Sequence, residues 1–535
     1  MRESATELSA DPMTKRNAML VLALILVAGA LLRYPAVGHG LPYMRYTDDV
    51  RKVALAQQMF KTMDLDPNYF NKPTFFLYVN ALAYVPYYIG GRAIGAFDAR
   101  NDILAPRRQL LGTAFAPMPS TIILGRLLSA SFGMGTIALL YLAGARLWHD
   151  RLGGLVAAGI LSVSPIHRDL DRIHPDAQVM FFIVLSLIGA IGVVRQGRLR
   201  DYLFTGIALG FALSSKYNAL LFVPAIVIAH LVSLGGFREG WWKQSRLWWS
   251  LAAMGATFVV LNPFLFVHLA RFTNVMHAEV LSYTLGHNTL IMEGQSPLWY
   301  PGVLLSTDSP ILLFGIVAFG VGFIPRDRSS VLVAGYMTPY LVAILIIATR
   351  NHRTLAPAVP FLALLGARLA LEIVDRIRLV EARGKRGAAV AIGGALCAWF
   401  LLQPLVHSLA DLGYKLNDPS WKLAAIWVDR NLPEGSHVAV ESFSPWVDSE
   451  RFEVTRTRDL LSRPSRYYRD LGVEYLVLSD SRMRRAARSG GRNTRSESFE
   501  AIQREFELLK RFDNGRESQF VFRVPRDETR APDPQ

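Results

Sequence analysis

Long apolar stretches dominate the first 410 residues, and they predict membrane-spanning helices. Stretches near or above twenty apolar residues recur throughout this part of the chain. A helix of about 20 residues crosses the hydrocarbon core of a bilayer and satisfies its own backbone hydrogen bonds there. About eleven spans fit the pattern, near residues 18–35, 120–145, 152–165, 175–194, 201–214, 218–235, 247–268, 299–323, 330–348, 354–372 and 387–408. The chain is therefore expected to be a polytopic α-helical membrane protein.

The distribution of basic residues predicts the orientation of these spans. With residues 1–17 in the cytoplasm, alternate loops are rich in Lys and Arg, as cytoplasmic loops are. The basic residues of these loops are Arg146, Arg151, Arg195, Arg198, Arg200, Arg238, Lys243, Arg246, Arg326, Arg328, Arg376, Arg378, Arg383, Lys385 and Arg386. The first span is expected to stay as a signal anchor, because many spans follow it. We expect an integral protein of a bacterial inner membrane.

Residues 74–95 are apolar enough to form a further span. If they crossed the membrane, every later loop would change sides and the basic loops would face outward, against the charge rule. The pattern therefore favours an interfacial or re-entrant helix pair within one long outer loop, residues 36–119. Together with the spans, this loop makes residues 18–410 one predicted transmembrane domain.

After residue 410 the pattern changes to that of a small α/β domain, residues 411–524, on the outer face. The stretch WKLAAIWVDRNLPEGSHVAVES reads as an amphipathic helix, a turn and a strand. VEYLVLSD is a buried-strand pattern, residues 498–512 are a predicted helix, and SQFVFRV is a closing strand. The tail 525–535 and the first dozen residues are polar, and we predict that they are disordered.

Composition agrees with a membrane protein, since 51% of the residues are hydrophobic and 19% are charged. The net charge of +15 raises the possibility of nucleic-acid binding. Most Lys and Arg residues, however, lie in short loops between spans, so we expect no nucleic-acid partner. The single cysteine, Cys397, lies inside a predicted span, which excludes a disulfide framework or a cysteine metal site.

Two adjacent carboxylates, Asp48 and Asp49, stand in the first outer loop at the start of an amphipathic helix. Neighbouring residues on a helix point about 100° apart, so the two cannot share one role. One can face a cavity while the other caps the helix N-terminus, or both can be caps.

The second outer loop, SPIHRDLDRIHPDAQ, concentrates acids and imidazoles. These candidates for an acceptor or metal site are His167, Asp169, Asp171, His174 and Asp176. Such density suits a divalent cation or acid–base chemistry. The spacing matches no specific metal signature, and Arg168 and Arg172 can neutralise the carboxylates. The sequence therefore indicates no specific cofactor, and a divalent cation stays an alternative.

Cations from distant segments fall on the same predicted face. They are Lys72 in FNKPTF, Lys216 in SSKYN, and His352 with Arg353 in RNHRTLAP. Such residues at span ends often only extend their charged groups to the membrane interface. They are also the side chains that bind phosphate, Arg through two parallel bonds and Lys as a point charge. The loop 269–298, with His277, Glu279 and His287, is a candidate acceptor-side loop.

These motifs resemble those of the GT-C glycosyltransferases, specifically the dolichyl-phosphate-mannose protein mannosyltransferases and their relatives, including the lipid A aminoarabinose transferases. The family has an acidic pair early in the first outer loop and a Lys-Pro about two dozen residues later. Asp48-Asp49 and Lys72-Pro73 match this pattern, although the family usually has Glu second and often a second proline where Thr74 stands. RTLAPAVPFLALLGARLA, at 353–370, matches the Arg-containing stretch before a Pro-rich span.

The resemblance implies an inverting transfer of a sugar from a polyprenyl-phosphate carrier to a protein, lipid or glycan acceptor on the non-cytoplasmic face. Asp48 would be the general base, and Lys72, Lys216 and Arg353 would stabilise the departing phosphate. Asp49, Asp169 and Asp176 would orient the acceptor or hold a cation. Two rival hypotheses are a transporter or flippase, which predicts internal repeats that the sequence does not show, and a non-catalytic scaffold.

Overall fold

The computed structural model describes residues 13–45, 47–170, 172–285, 298–347, 350–381, 386–481, 483–484 and 494–525. Most of these residues are helical. The α-helices are α1 (Lys15–Arg33), α2 (Thr47–Thr62), α3 (Phe75–Ala93), α4 (Pro119–Trp148), α5 (Arg151–Val163), α6 (Pro165–Arg168), α7 (Asp176–Gln196), α8 (Leu199–Ser215), α9 (Pro224–Leu234), α10 (Ser245–Leu261), α11 (Pro263–Val267), α12 (Leu269–Leu285), α13 (Trp299–Ser306), α14 (Ile311–Gly320), α15 (Arg328–Ile346), α16 (His352–Leu355), α17 (Val359–Glu381), α18 (Arg386–Leu416), α19 (Ser420–Asn431), α20 (Ser465–Asp470) and α21 (Thr494–Glu505). The strands are β1 (Tyr43–Met44), β2 (Arg107–Leu110), β3 (Thr113–Phe115), β4 (His437–Val440), β5 (Glu453–Arg456), β6 (Tyr475–Ser479), β7 (Glu507–Asp513) and β8 (Ser518–Arg523).

The chain forms two compact units, each built from separate parts of the sequence. We call the first the helical unit; it comprises Met1–Val37, Asp64–Ala83 and Gly125–Leu412. We call the second the mixed unit; it comprises Gly38–Met63, Tyr84–Leu124 and Gly413–Gln535. Residues 1–12 and 526–535 lie outside the described residues, and they comprise the segments predicted to be disordered except residue 525.

Helices long and apolar enough to cross a membrane confirm the multi-pass prediction. Within the described residues six such helical segments occur: Lys15–Ala36, Pro119–Trp148, Asp176–Gln196, Tyr217–Leu234, Arg328–Ile346 and His352–Ile377. Shorter apolar helices cover Arg151–Val163, Ser245–Leu261 and Ile311–Gly320. All nine segments overlap predicted spans, and the total of about eleven stays a prediction.

Two predicted elements differ from the structure. Residues 75–93 form one continuous helix with Pro86 inside it, where a helix pair was predicted. The predicted span 299–323 is interrupted, because α13 ends at Ser306 and α14 begins at Ile311. Asp308 and Ser309 lie in that interruption and are buried.

The helices of the helical unit pack closely where small residues meet a neighbouring backbone. A Cβ on Gly206 of α8 would lie 2.0 Å from the carbonyl oxygen of Ser250 on α10. A Cβ on Gly315 of α14 would lie 2.7 Å from the backbone nitrogen of Gly366 on α17. Such approaches are typical of membrane helices, because lipid supplies little hydrophobic drive and association depends on close van der Waals packing.

The mixed unit contains two sheets. A small antiparallel sheet has the order β1-β3-β2, and a five-stranded sheet has the order β5-β4-β6-β8-β7. In the larger sheet, β4 pairs in parallel with β5 and β6, while β8 pairs antiparallel with β6 and β7. All five residues of β6 are buried, as expected of a central strand whose sequence is continuously apolar. The predicted helix and strands of this region are found as α19, β4, β6 and β8.

The predicted helix 498–512 is wrong in its second half. The helix α21 ends at Glu505, and residues from Glu507 onward form β7. The strand exists because it pairs with β8, for example Phe512 with Gln519. Most residues of ELLKRFD are exposed, as expected of an edge strand, and its less exposed residues Leu509 and Phe512 are three positions apart, a spacing that local periodicity does not separate from a helix.

Residues of the first predicted outer loop pack against the C-terminal segment within the mixed unit. The backbone nitrogen of Phe443 donates to the carbonyl oxygen of Leu111 at 2.8 Å. The hydroxyl of Thr113 donates to the carbonyl oxygen of Ser444 at 2.5 Å. The division of the chain into domains 18–410 and 411–524 stays a prediction.

Candidate functional site

A buried carboxylate organises the candidate site in the helical unit. Asp176 begins α7 and is fully buried. The Nζ of Lys216 donates to its Oδ1 at 2.6 Å, and the Nδ1 of His174 contacts its Oδ2. Arg353 lies close enough to interact electrostatically with both Asp176 and Lys216. Sequence analysis proposed all four residues, and the structure brings them together.

The charges of this cluster do not cancel. Burial is the largest single influence and lowers the pKa of Lys216, but the charge of Asp176, Tyr283 and the hydrogen bond to Asp176 together raise it by more, so the net pKa lies above the ordinary value. The ammonium therefore stays charged at neutral pH. Lys216 and Arg353 contribute two positive charges against one carboxylate. Among the described residues no carboxylate forms an ion pair with Arg353, so the cluster has a surplus positive charge.

Local structure explains how distant segments present these side chains. Lys216 follows α8 with an extended backbone, at the point where helical hydrogen bonding ends. The side chain of Asn351 caps α16 by accepting from the backbone nitrogen of Thr354 at 2.9 Å. This cap places His352 and Arg353 in the first turn of that short helix.

A buried tyrosine connects the two segments. The hydroxyl of Tyr340, on α15, donates to the carbonyl oxygen of Thr354 at 2.6 Å and accepts from the side-chain amide of Asn218 at 3.2 Å. Asn218 stands two residues after Lys216. Sequence reasoning missed Tyr340 and Asn218, because a tyrosine in an apolar stretch gives no signal of its hydrogen-bond partners.

Lys72 lies in the same unit with a different partner. Its Nζ is 3.9 Å from Oε1 of Glu279, on α12, and the side-chain amide of Asn71 donates to the same oxygen at 2.9 Å. Both side chains of the pair are mostly buried. The predicted Lys72-Pro73 motif therefore contacts, through Glu279, the loop 269–298 that was predicted to lie on the acceptor side.

The two arginines of the loop before α7 form ion pairs with different acids. Arg172 donates to Asp169 at 2.8 Å, as expected, whereas Arg168 forms an ion pair with Asp411 of α18. Asp171 lies outside the described residues. Among the described residues, no group of three His, Cys, Asp or Glu side chains is arranged to hold a metal ion. Asp169 and Asp176 both form ion pairs with basic side chains, and a divalent cation at this loop stays a prediction.

His167 has a structural role in this loop. Its Nδ1 lies 2.8 Å from Nη2 of the buried Arg33, which also donates to the carbonyl oxygen of Ser162 at 2.9 Å. Burial and then the neighbouring guanidinium hold the pKa of His167 well below its ordinary value. The imidazole is therefore neutral and accepts a hydrogen bond from Arg33, so it is not a charged group of the site.

The acidic pair lies in the mixed unit, at the start of α2. Asp48 is exposed, whereas Asp49 is only 2% exposed. The two carboxylates thus have different surroundings, as the helical geometry predicted. Asp48 is therefore accessible from solvent, whereas Asp49 is not.

Asp308 is a buried acid that sequence reasoning missed. It lies in the interruption between α13 and α14 and accepts from the hydroxyl of Ser164 at 2.6 Å and from the backbone nitrogen of Ile166 at 3.2 Å. It also interacts electrostatically with His352. Its location inside an apolar stretch could have identified it, because ionisable residues within predicted spans usually have a functional or structural role.

Comparison with known families supports the resemblance seen in the sequence. The model of the family described as "Dolichyl-phosphate-mannose-protein mannosyltransferase" matches residues 118–266, which cover α4 to α10. A comparison with curated protein sequences gives no match.

Solved structures extend the likeness to nearly the whole chain. The apo oligosaccharyltransferase of Archaeoglobus fulgidus has a TM-score of 0.55 at 12% identity, covering 93% of this chain and 74% of that one. ArnT from Cupriavidus metallidurans bound to undecaprenyl phosphate has a TM-score of 0.53 at 13% identity, covering 94% and 97%. The A. fulgidus oligosaccharyltransferase AglB, in complex with an inhibitory peptide and a dolichol-phosphate, has a TM-score of 0.52 at 12% identity, covering 86% and 69%. The chain is thus a multi-pass membrane protein with this fold, and the predicted GT-C resemblance is confirmed.

Proposed function

We propose that this chain, which shares its fold with membrane glycosyltransferases, is itself an inverting glycosyltransferase that uses a polyprenyl-phosphate sugar as donor. The observation that carries the proposal is the surplus positive charge of Lys216 and Arg353 around the buried Asp176. ArnT, which has a similar fold, was solved with undecaprenyl phosphate, a lipid of the class proposed here.

The cluster suits a phosphate better than it suits a metal ion or a base. Arg353 offers a planar guanidinium that can bind two phosphate oxygens in parallel. Lys216 supplies a fixed charge, and its ion pair with Asp176 holds the ammonium in one place. Because this positive charge is already in position, the protein need not rearrange when negative charge develops on the leaving group. Stabilisation of such developing charge by fixed groups is usually the largest electrostatic contribution to catalysis.

The proposed reaction is one displacement at the anomeric carbon. The acceptor oxygen forms a bond to that carbon while the bond from the carbon to the phosphate oxygen breaks. The acceptor proton passes to Asp48 as general base. The polyprenyl phosphate departs with one additional negative charge, which Arg353 and Lys216 stabilise. Because attack and departure take place on opposite faces, the anomeric configuration inverts.

Lys72 is proposed as a further donor-binding cation that Glu279 holds when no phosphate is present. Their 3.9 Å separation is long for an ion pair, so a phosphate can compete for the ammonium. Asp49, Asp169 and Asp176 act by holding structure around the reacting groups. The acceptor is a protein, lipid or glycan on the non-cytoplasmic face of a bacterial inner membrane, with the N-terminus in the cytoplasm.

Transfer from radiolabelled polyprenyl-phosphate sugars in detergent tests the proposal. We expect turnover by the wild type and its loss in Asp48→Asn, with binding of the carrier lipid retained. Arg353→Met should weaken binding of the carrier lipid, whereas Arg326→Met, which changes an exposed arginine after α14, should not. If no donor is consumed and the protein instead moves lipid or sugar across proteoliposomes, the chain is a transporter and the proposal is wrong.

A further inference from the structure

The mixed unit contains a small cavity with an aromatic wall. Its volume is about 180 Å³, and Tyr43, Phe115 and Trp446 are among its lining residues. The rings of Phe115 and Trp446 are stacked with centroids 5.4 Å apart, and Tyr43 and Phe115 are 5.6 Å apart. The three residues come from β1, β3 and the segment after β4, so folding of the mixed unit is required to bring their rings together.

Polar groups line the same cavity. Asp429, at the end of α19, and Asp448 both contribute to its lining. One oxygen of Asp429 accepts from Arg451 at 2.6 Å, and one oxygen of Asp448 accepts from the backbone nitrogen of Glu450 at 3.0 Å. Within the described part of the chain, neither second carboxylate oxygen makes a hydrogen bond, nor does the Tyr43 hydroxyl. Burial, followed by the two carboxylates, raises the pKa of Tyr43, so the phenol keeps its proton and can donate it.

We infer that this cavity, formed by Tyr43, Phe115, Trp446, Asp429 and Asp448, binds the ring of a neutral saccharide. The apolar face of a sugar ring stacks on aromatic side chains, and its hydroxyls donate to carboxylates. A few placed polar groups in an otherwise apolar wall are the usual composition of a small-ligand site. The cavity is smaller than the roughly 300–1,000 Å³ of sites for drug-sized ligands, so it accepts one ring and not an extended chain.

The charges favour a neutral ligand over an ammonium group. Aromatic rings and carboxylates also bind organic cations. Here, however, Arg451 neutralises Asp429, and Arg430 acts on Tyr43 against the effect of the carboxylates. One of the two carboxylates is therefore neutralised, and a second guanidinium acts on the same phenol, which weakens the attraction for a cation. The site is independent of the proposed transferase activity, since none of its residues has a role in that reaction.

Saturation-transfer difference NMR on the full chain in detergent tests the inference. The probes are a panel of neutral hexoses and pentoses, with choline as the cationic alternative, and no polyprenyl donor is present. We expect saturable binding of at least one neutral monosaccharide. Trp446→Ala should weaken that binding by about fivefold or more, and Trp446→Phe, which keeps a ring, should retain most of it.

The double variant Asp429→Asn with Asp448→Asn tests the polar half of the site, and remains informative if Trp446→Ala does not fold. It should also weaken binding. Trp427→Ala is the matched control, because Trp427 lies on α19 near Phe512 and does not line the cavity. Absence of saccharide binding by the folded wild type, binding of choline alone, or unchanged affinity in both site variants would overturn the inference. The result does not depend on whether sugar transfer is detected.

Discussion

The ion pair between Lys216 and Asp176 should be the most sensitive electrostatic contact of the helical unit. Its two charges are 2.6 Å apart, and the carboxylate is fully buried. At an effective dielectric constant of 20, Coulomb's law gives a gross attraction of about 6 kcal/mol at this distance. Desolvation offsets much of that attraction, but removing one partner leaves a buried charge and typically costs about 3–5 kcal/mol.

Lys216→Met should therefore lower the free energy of unfolding by about 3 kcal/mol, at the low end of that range, because His174 and Arg353 still face Asp176. Asp176→Asn should cost a similar amount, since two cations then repel each other. Combining the two substitutions removes both charges, so the double variant should be more stable than additivity predicts, by about 1–3 kcal/mol.

Thermal unfolding in detergent, followed by tryptophan fluorescence, measures these differences. A loss of 3 kcal/mol corresponds to a fall in Tm of at most about 6–12 °C, the shift for domains of 150–250 residues, because larger units such as this one shift less. Arg200→Met is the matched control, because the Arg200 side chain is 71% exposed and lies 3.9 Å from Asp201; exposed pairs contribute roughly 0–1 kcal/mol. Strict additivity of the two site substitutions, or a Lys216→Met variant as stable as the control, would refute the reasoning.

Three further predictions follow from buried groups. The pKa of His167 is lower in the folded protein than in the unfolded chain, so the free energy of unfolding should fall as the pH drops below about 6.5. The expected slope is about 1.4 kcal/mol per pH unit. His167→Gln should remove this slope when Tm is measured as a function of pH. Asp308→Ala should destabilise the loop before α7, because that loop loses its hydrogen bonds to the carboxylate. Limited proteolysis would detect the change as new cleavage between residues 164 and 176. Asp308→Asn keeps a hydrogen-bond acceptor and should leave the loop resistant to cleavage. Arg45→Met should lower the free energy of unfolding by about 3 kcal/mol, because it removes a 2.5 Å ion pair with the mostly buried Glu517 of the mixed unit. A Tm unchanged from that of the wild type would contradict this prediction.

Much of the helical unit could be predicted from the sequence, because a membrane span has a local signature. Apolar length located the spans, and their polar ends placed Lys216, Asp176 and Arg353 among the candidates. The interruption at Asp308 was hidden by the high hydropathy of the residues around it. The pairing of Arg168 with Asp411 joins residues 243 positions apart, and no local pattern reports such a partner.

The mixed unit was harder to predict, since its organisation depends on contacts distant in sequence. Residues 38–63 and 84–124 carry patterns of a loop and belong to a compact unit with the segment from Gly413. The strand β7 was taken for helix because its pairing with β8, and not its own periodicity, decides its conformation. The saccharide cavity follows the same rule: its aromatic wall comes from three separated segments.

The proposed transfer requires release of the carrier lipid in the same turnover that moves the sugar. Enzyme in excess would be mixed with a labelled polyprenyl-phosphate sugar and acceptor, and both products would be quantified. We predict one free polyprenyl phosphate for each sugar transferred, with a slower rate in Arg353→Met and an unchanged rate in Arg326→Met. Transfer at the wild-type rate by Arg353→Met, or sugar movement without release of the carrier, would show that the positive cluster does not stabilise a departing phosphate.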